Sequence, residues 1–343
     1  MKSGTAERLD VVTPDRILEL AQSFRACKSL LSAVELGIFA ALADGPLDPE
    51  IIGERTGIHA RGIRDFLDAL VTLGMLVRSD DGQYANSVET ALYLEPHKPT
   101  YIGSLLERFN ARDYRVWGAL TTALQTGMPQ DGSGAAGNFG PVYSDERLRN
   151  QFARGMTVRT LPVARALARG FPWVDYTTVV DVGTAEGCLP VEIVQSNPHL
   201  RGGGFELPPL KSNFERYVED HGLSGRLRFY PGDFFNDPLP NADVLVLGRV
   251  LHNWDLSTKM MLLKKAYDAL LPNGALIVYE HLIDDERQQN STALLASVQM
   301  LLSSAGGFNF TGADCAGWMA ETGFRSCHVE SLTKEQSMVV GIK

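Results

Sequence analysis

The sequence predicts an α/β protein with a doubly wound, mostly parallel seven-stranded sheet and a smaller, mainly helical N-terminal domain. Two observations lead to this prediction. Short apolar segments alternate with helical segments after residue 176, which is the pattern of βα units with helices on both faces of a parallel sheet. The chain also has 343 residues, too many for one core of ordinary size, so two domains are expected.

The N-terminal region is predicted to form helices followed by a hairpin. Apolar residues recur at helical spacing in residues 14–42, 48–56 and 59–73, and Asp48 is the expected N-cap of the second segment. An Asp81-Gly82 turn then separates two short strands. This order is that of a winged helix, whose usual function is DNA binding. Residues 44–95, however, contain ten acidic residues and four arginines, and a DNA-reading surface should be basic, so DNA binding is not expected.

The remaining elements are predicted from the same periodicities. Segments 101–124 and 144–169 are expected to be helices, separated by an irregular loop at 127–141 with five glycines and two prolines. Strands are expected at 177–183, 202–207, 227–230, 242–251, 275–283, 326–332 and 338–342. Helices are expected between most of them, at 188–196, 211–220, 257–271, 292–304 and 313–322. The last two strands are joined too closely for a helical crossover, so they must form an antiparallel C-terminal hairpin.

Composition and charge exclude several classes of function. The chain has neither a signal-like N-terminus nor an apolar stretch of bilayer-spanning length, so neither secretion nor a membrane location is expected. Its four cysteines are scattered without a C-x-x-C pair, which argues against a zinc or disulfide site and fits a reducing cytoplasm. A net charge of −9 disfavours a nucleic-acid partner, because phosphate binding depends on Lys and Arg.

Candidate ligand-binding residues stand at the ends of the first three of these strands. Gly183 and Gly187 follow the first strand in a turn before a helix, where backbone N–H groups are free. Glu206 ends the second strand and can accept hydrogen bonds from both hydroxyls of a ribose. Asp233 and Phe234 follow the third strand, where a carboxylate and a ring suit an adenine. Each residue can be explained as a turn glycine or a solvated loop end, but together they predict a nucleoside pocket.

His252 follows the fourth strand, which we expect over the nearly unbroken apolar run 242–251. Open α/β sheets bind ligands just beyond the carboxyl ends of their parallel strands. A lone histidine beside apolar residues is usually structural. Because three ligand-type strand ends precede this one, we expect His252 to take part in catalysis.

The nucleoside cofactor is predicted to be S-adenosylmethionine rather than NAD. A dinucleotide site favours the spacing G-x-G-x-x-G, whereas Gly183 and Gly187 are spaced G-x-x-x-G and Glu186 between them would repel a pyrophosphate. A sulfonium with an amino-acid tail tolerates this acidic lining better. Asp181 adds a further carboxylate for such a tail.

Over nearly its whole length the chain resembles the class I S-adenosylmethionine-dependent small-molecule O-methyltransferases, of the plant caffeate and acetylserotonin type and their bacterial natural-product relatives. The resemblance rests on Asp181-Val182-Gly183, Glu206-Leu207-Pro208, Gly232-Asp233-Phe234-Phe235, Leu251-His252-Asn253-Trp254 and Gly306-Gly307. It implies a winged-helix-like dimerisation domain over 1–100, a helical region over 101–170 that contributes to the acceptor pocket, and a Rossmann-like catalytic domain over 171–343. It also implies a homodimer, for which we expect a cytoplasmic location and no metal.

The same resemblance implies the roles of individual residues. His252 is the expected general base, which takes a proton from the acceptor hydroxyl, and Glu280 helps to hold it. The residues expected to bind the cofactor are Asp181, Gly183, Gly187, Glu206, Leu207, Asp233, Phe234 and Arg249. The residues expected to line the acceptor pocket are Phe152, Met156, Asn253, Trp254, Met300 and Asn309, although core packing explains Met156 equally well. A small aromatic acceptor is expected, because a phenol is the hydroxyl that an imidazole deprotonates most readily.

The sequence departs from the family pattern at three places. Thr184, Ala185 and Glu186 interrupt the usual glycine-rich turn, and we expect cofactor binding to be retained with an altered loop. Gly248 stands where many relatives have a basic or polar residue. Asn309 stands where the plant enzymes have a second glutamate, and an amide can orient a histidine or a substrate but cannot stabilise an imidazolium by charge.

Three alternative functions remain open at this point. Relatives with this fold also catalyse decarboxylation, hydroxylation or pericyclic reactions while keeping S-adenosylmethionine. Methyl transfer to carbon or nitrogen is a second alternative. A ligand-sensing DNA-binding regulator is the third, against the acidic charge of the helical domain.

Overall fold

The computed structural model describes residues 12–98, 100–132 and 143–343, so the predicted loop at 127–141 lies largely outside the described residues. The chain divides into two units, with the boundary between Ala111 and Arg112. None of the helices within the described ranges combines the length and apolar character that crossing a bilayer requires.

The N-terminal unit has the predicted order of helices and hairpin. Its elements are α1 (Asp15–Glu35), α2 (Ile38–Ala41), α3 (Pro49–Thr56), α4 (Ala60–Thr72), β1 (Leu76–Arg78), β2 (Tyr84–Asn86), α5 (Val88–Tyr93) and α6 (Gly103–Arg108). Gly37, with φ of 72°, separates α1 from α2 within the single predicted segment 14–42. Asp48 is the N-cap residue of α3, but its side chain makes no capping hydrogen bond. Strands β1 and β2 pair antiparallel across the Asp81-Gly82 turn, and this hairpin was predicted correctly.

The helical stretch expected over 101–124 is divided into several short helices. After α6 the chain forms a π-helical turn at Phe109–Asp113, and then the short helices α7 (Tyr114–Trp117) and α8 (Leu120–Thr126). Gly118 follows α7 directly, and glycine is the weakest helix former after proline, which accounts for the break at this point.

The second unit contains the predicted βα alternation. After α7 and α8 it continues with α9 (Glu146–Gly170), β3 (Thr178–Val182), α10 (Cys188–Ser196), β4 (Arg201–Glu206), α11 (Lys211–Asp220), β5 (Leu227–Pro231), β6 (Ala242–Gly248), α12 (Leu256–Ala269), β7 (Leu270–Glu280), α13 (Ser291–Ser303), α14 (Gly312–Thr322), β8 (Arg325–Ser331) and β9 (Ser337–Ile342). The seven strands lie in the order β5-β4-β3-β6-β7-β9-β8. Strands β3 to β7 are parallel, whereas β9 runs antiparallel to both β7 and β8. The doubly wound sheet and its C-terminal antiparallel hairpin are therefore confirmed.

Each face of the sheet has its own apolar core. On β6, Val244 and Val246 pack with residues of α9 and α10, while Leu245 and Leu247 pack on the opposite face with residues of α12 and α14. This alternation follows from the two-residue repeat of a strand. It fixes which side chains at the carboxyl ends of the strands point to each face.

Strand β6 is shorter than predicted, which changes the position of His252. The strand ends at Gly248, not at residue 251, because Arg249 adopts a left-handed conformation with φ of 56°. A 3₁₀ turn at Leu251–Asn253 follows. His252 therefore lies in a turn that crosses the carboxyl edge of the sheet.

Candidate active site

The turn after β3 requires glycine at two positions. Gly183 has φ of 80° and Gly187 has φ of 94°, a region that L side chains rarely adopt. A Cβ at Gly183 would lie 2.9 Å from Val250 Cγ2, and one at Gly187 would lie 2.7 Å from Phe214 Cε2. Helix α10 begins directly after Gly187, so the turn presents free N–H groups at the carboxyl edge of the sheet.

The interrupted glycine motif is accommodated by a glycine on the neighbouring strand. A Cβ at Gly204 of β4 would lie 2.2 Å from Thr184 Cγ2, so the threonine methyl fills the space that a side chain on β4 would need. Ala185 adopts a left-handed φ of 51° and donates its backbone N–H to Glu206 Oε2 at 3.2 Å. The altered turn thus still reaches the carboxylate at the end of β4.

Glu206 is buried and held by donors from three segments. Its Oε1 accepts the Leu207 N–H at 2.8 Å and the Tyr143 hydroxyl at 3.3 Å, and its Oε2 accepts the Ala185 N–H at 3.2 Å. Burial raises the pKa of Glu206, and these three hydrogen bonds oppose the rise. Sequence reasoning missed Tyr143, which precedes α9 in a segment without a recognisable motif.

Asp181, near the end of β3, is also buried. Burial raises the pKa of its carboxyl group to about 7; the Thr184 hydroxyl opposes the rise and the charge of Glu206 adds to it. A cation beside this carboxyl group would favour its charged form. The position therefore suits the ammonium end of an amino acid.

Asp233 and Phe234 lie in the turn after β5. Both carboxylate oxygens of Asp233 are used in this turn: Oδ1 accepts the Phe235 N–H at 2.9 Å and Oδ2 accepts the Asn236 side-chain amide at 2.8 Å. Trp254, which we expected in the acceptor pocket, packs edge-on against Phe234 at 5.9 Å and Phe235 at 4.8 Å between ring centroids. It therefore belongs to the aromatic cluster beside the predicted adenine position.

The structure brings His252 and Glu280 together from two neighbouring elements. Nδ1 of His252 lies 2.5 Å from Glu280 Oε2, and the backbone N–H of His252 donates to Oε1 of the same carboxylate at 3.2 Å. Glu280 is the last residue of β7 and is 1% exposed, while His252 is 8% exposed. A carboxylate that accepts from Nδ1–H leaves the lone pair on Nε2, so Nε2 is the basic nitrogen.

Asn253 and Arg249 hold the backbone of the turn that contains His252. Asn253 donates its side-chain amide to the carbonyl oxygens of Arg249 and Val250, both at 3.2 Å, which closes the 3₁₀ turn. Arg249 donates its backbone N–H to Tyr279 O at 3.0 Å. Its Nε is buried and has no hydrogen-bond partner among the described residues.

The glycine at position 248 is explained by its neighbour on β7, Tyr279. A Cβ at Gly248 would lie 2.1 Å from Cε1 of Tyr279, so the tyrosine ring fills the space that a side chain at this position would need. The glycine is therefore required by the packing of β6 against Tyr279.

Asn309 is 3% exposed, and its hydrogen bonds go to residues other than His252. Its Nδ2 donates to the backbone carbonyl of His281 at 3.0 Å, and its backbone N–H donates to Ser297 Oγ at 3.1 Å. Its Oδ1 is buried without a hydrogen-bond partner in the part of the chain that the structure describes. Glu280 is thus the carboxylate that contacts the histidine.

The remaining residues expected in the acceptor pocket lie on two helices. Phe152 and Met156 of α9 and Met300 of α13 are half-buried. Phe152 packs edge-on against Tyr143, with ring centroids 6.5 Å apart. One turn further along α9, Thr157 donates its hydroxyl to Glu186 at 2.5 Å, so this helix also contacts the glycine turn.

These residues fit a nucleoside that carries an amino acid. Oε2 of Glu206 accepts one N–H and retains a lone pair for a ligand hydroxyl. The carboxyl group of Asp181 suits an ammonium group, and the unpaired Nε of Arg249 suits an anionic group such as a carboxylate. The His252–Glu280 pair stands at the same edge of the sheet.

Two family models match the chain. A model of the O-methyltransferase domain matches residues 117–325, and a model of the O-methyltransferase dimerisation domain matches residues 18–96.

Individual proteins with known roles are also similar. The tetracenomycin polyketide synthesis 8-O-methyl transferase TcmO of Streptomyces glaucescens is 37% identical over 96% of this chain and 97% of its own length. The N,N-dimethyltransferase OxyT of Streptomyces rimosus is 39% identical over 78% of each chain. The crystal structure of human N-acetylserotonin methyltransferase in complex with S-adenosylmethionine superposes with a TM-score of 0.88 at 27% identity, covering 99% of both chains.

Proposed function

Because this chain belongs to the O-methyltransferase family and is an S-adenosylmethionine-dependent enzyme, we propose that it methylates a phenolic hydroxyl of a polycyclic aromatic natural product, with His252 as general base. The observation that carries the proposal is the contact of His252 Nδ1 with Glu280 at 2.5 Å, at the sheet edge that also holds the Glu206 and Asp181 carboxyl groups.

The proposed mechanism divides the chemistry between cofactor and protein. S-adenosylmethionine, when bound, supplies a methyl group on a sulfonium that is already reactive. The protein's task is then largely alignment of the acceptor oxygen, which contributes roughly 7–11 kcal/mol in well-oriented reactions. Glu206, Asp181 and Arg249 are the side chains that would hold the cofactor.

Removal of the acceptor proton is the step assigned to His252. Glu280 accepts from Nδ1–H and so fixes the tautomer in which Nε2 is basic. A free imidazole titrates near pH 6.5 and a phenol near pH 10, so a positioned histidine can take the phenolic proton at neutral pH. Glu280 also stabilises the imidazolium that results, because a carboxylate beside it favours the charged form.

The relatives support an aromatic acceptor. TcmO acts in tetracenomycin polyketide synthesis as an 8-O-methyl transferase, and its match extends over 96% of this chain. The human enzyme of similar structure is named for its acceptor, N-acetylserotonin. The 3-hydroxy-5-methyl-1-naphthoate 3-O-methyltransferase of Streptomyces sahachiroi, 31% identical over 94% of this chain, is named for a hydroxyl group on a fused ring, and we therefore infer a fused-ring phenol as the class of substrate.

The test is turnover with a panel of fused-ring phenols and S-adenosylmethionine, with methylated product and S-adenosylhomocysteine measured by mass spectrometry. His252→Ala should reduce turnover by about 10²–10⁴-fold, the usual contribution of a general base, and leave the calorimetric affinity for S-adenosylhomocysteine within twofold. His199→Ala, a histidine that bonds to the Trp173 carbonyl at 3.0 Å, is the matched control. Near-normal turnover by His252→Ala would remove the base assignment.

A second candidate is methyl transfer to nitrogen, because OxyT is named an N,N-dimethyltransferase and is 39% identical to this chain. Turnover of an amine and of a phenol with the same ring system distinguishes methyl transfer to nitrogen from methyl transfer to oxygen. The carbon-13 shift of a labelled methyl group distinguishes an O-methyl from an N-methyl product.

We also propose that the enzyme is a homodimer. The dimerisation-domain match covers residues 18–96. Helix α1 exposes apolar side chains at helical spacing, with Ile17 73%, Leu20 76% and Phe24 53% exposed, a face that association would bury.

A further inference from the structure

Lys259, in the first half of α12, is a buried charged residue to which neither the sequence motifs nor the proposed mechanism assigns a role. It is 0% exposed, and a lysine is rarely buried completely unless it is paired. Burial lowers its pKa to about 8, so it keeps most of its charge at neutral pH. The free-energy cost of such a buried charge has to be offset by its neighbours.

The Lys259 ammonium connects the His252 turn to the segment after α13. Its Nζ donates to the carbonyl oxygen of Trp254, the residue that ends the turn. It also lies over the ring of Phe308, 3.3 Å from the centroid, and 5.6 Å from that of Phe310. These contacts hold the Leu251–Asn253 turn and the 308–310 segment in one arrangement.

Gly306 and Gly307, which precede Phe308, allow this segment to lie close to the His252 turn. A Cβ at Gly307 would lie 2.6 Å from the His252 carbonyl oxygen, and one at Gly306 would lie 2.9 Å from Asp255 Cβ. Ser304 Oγ donates to Asn253 O at 2.8 Å on the same side of the turn. The segment therefore packs directly on the backbone of His252, and Lys259 is the charged group at this junction.

Three groups on different segments favour the charged form of Lys259 and so oppose the lowering of its pKa by burial. Glu280 of β7 has the largest electrostatic effect, followed by Asp255 at the N-cap of α12 and the Cys315 thiol of α14. Glu280 is the carboxylate that contacts His252. With a neutral imidazole, the His252–Glu280 pair carries one buried negative charge, and its attraction for the buried Lys259 ammonium raises the pKa of the lysine against the effect of burial.

We propose that Lys259 is a positioning residue of the methyl-transfer site, which anchors the His252 turn through Trp254 and Phe308 and whose positive charge, set against Glu280, keeps His252 unprotonated. The second half of this inference rests on the proposed function of His252 as general base. The reasoning is electrostatic: Glu280 alone would attract a proton to His252, and the lysine charge offsets that attraction in a site of low effective dielectric. The imidazole is then free to accept the proton of the acceptor.

The test uses two neutral variants of the full-length enzyme. Lys259→Met preserves the volume and removes both the charge and the donor, whereas Lys259→Gln removes the charge and keeps an N–H for the Trp254 carbonyl. Lys259→Arg restores the charge, and Lys264→Met, which removes an exposed lysine of the same helix, is the matched control. The readouts are the acid limb of the pH profile of kcat/KM and the pH midpoint of the His252 ring resonances by NMR with S-adenosylhomocysteine bound.

The expected result is a shift of both the acid limb and the NMR midpoint to higher pH, by about one unit, in Lys259→Met and Lys259→Gln. Lys259→Arg and Lys264→Met should match the wild type. An unshifted NMR midpoint in the two neutral variants would overturn the charge role. A shift in Lys259→Met but not in Lys259→Gln would also overturn it, because it would show that the hydrogen bond to Trp254, and not the charge, sets the midpoint. The NMR midpoint does not depend on turnover, so this outcome is distinguishable from failure of the base assignment, which appears as normal turnover by His252→Ala.

Discussion

The methyl group of Thr184 occupies the space that a side chain at Gly204 would need. A Cβ added to Gly204 would lie 2.2 Å from Thr184 Cγ2 and 2.7 Å from Phe214 Cε2. The interruption of the glycine turn and the glycine on β4 are therefore one structural feature. This feature links the glycine turn after β3 to the packing of β4.

Gly204→Ala should destabilise the protein by about 2 kcal/mol, because buried overpacking forces neighbours out of their preferred rotamers. In a Thr184→Gly background the cost should fall, and urea unfolding of the four proteins gives the coupling energy directly. Gly317→Ala, in α14 with nothing within 4 Å of the added Cβ, is the control and should be neutral or stabilising. Strict additivity of the two changes would contradict the proposed contact.

Glu280→Gln should reduce kcat by about 10²–10⁴-fold and leave the affinity for S-adenosylhomocysteine within twofold. The carboxylate accepts two N–H groups of His252, whereas an amide offers a single acceptor oxygen. One contact must therefore be lost or the other imidazole tautomer adopted. Glu330→Gln, an exposed carboxylate of β8, is the control, and single-turnover rates measure the chemical step. Activity above half of the wild-type value would show that Glu280 does not orient the base.

The buried carboxyl group of Asp181 predicts a pH dependence of stability. Its pKa is raised from 3.8 to about 7, so the folded state binds the proton more tightly than the unfolded state. Its stabilising contribution is complete below pH 3.8 and is lost as the pH rises to about 7. Asp181→Asn does not titrate, so its stability relative to the wild type should improve between pH 4 and 7 and then level off. Denaturant unfolding at several pH values checks this, and a constant difference would contradict it.

The exposed apolar residues of α1 predict the site of self-association. Leu20→Glu with Phe24→Glu should convert a dimer to a monomer in light scattering coupled to size-exclusion chromatography, because it places charges on a face that association would bury. Val174→Glu, at an exposed apolar residue of the other unit, is the control and should leave the mass unchanged. An unchanged mass in the α1 variant would place the interface elsewhere.

The sheet and the residues at its strand ends were predictable because each depends on local patterns. Apolar runs separated by helical segments define β3 to β7, and parallel strands place their carboxyl ends at one edge. This is why the sequence predicts Asp181, Glu206 and His252 at one edge of the sheet. The antiparallel end of the sheet followed from the short connection before β9.

What escaped prediction depends on contacts between distant segments. The apolar run to residue 251 conceals the end of β6, which is set by the left-handed Arg249 and by the bonds of His252 to Glu280. Nothing in the sequence near Tyr143 indicates its bond to Glu206, 63 residues away. Lys259 has the spacing of an ordinary helix residue, and its burial follows from the approach of Phe308.

The hydrogen bonds of Tyr143 to Glu206 and of Thr157 to Glu186 have a consequence for engineering. Both donors precede β3, so a fragment that begins at the sheet would carry two buried carboxylates stripped of their hydroxyl partners. In a chimera joined just before β3, both hydrogen bonds would span the junction, so each can form only if the grafted N-terminal part supplies a hydroxyl donor at position 143 or 157. Residues 143–170 and the strands therefore belong together as one structural unit of the cofactor end of the site.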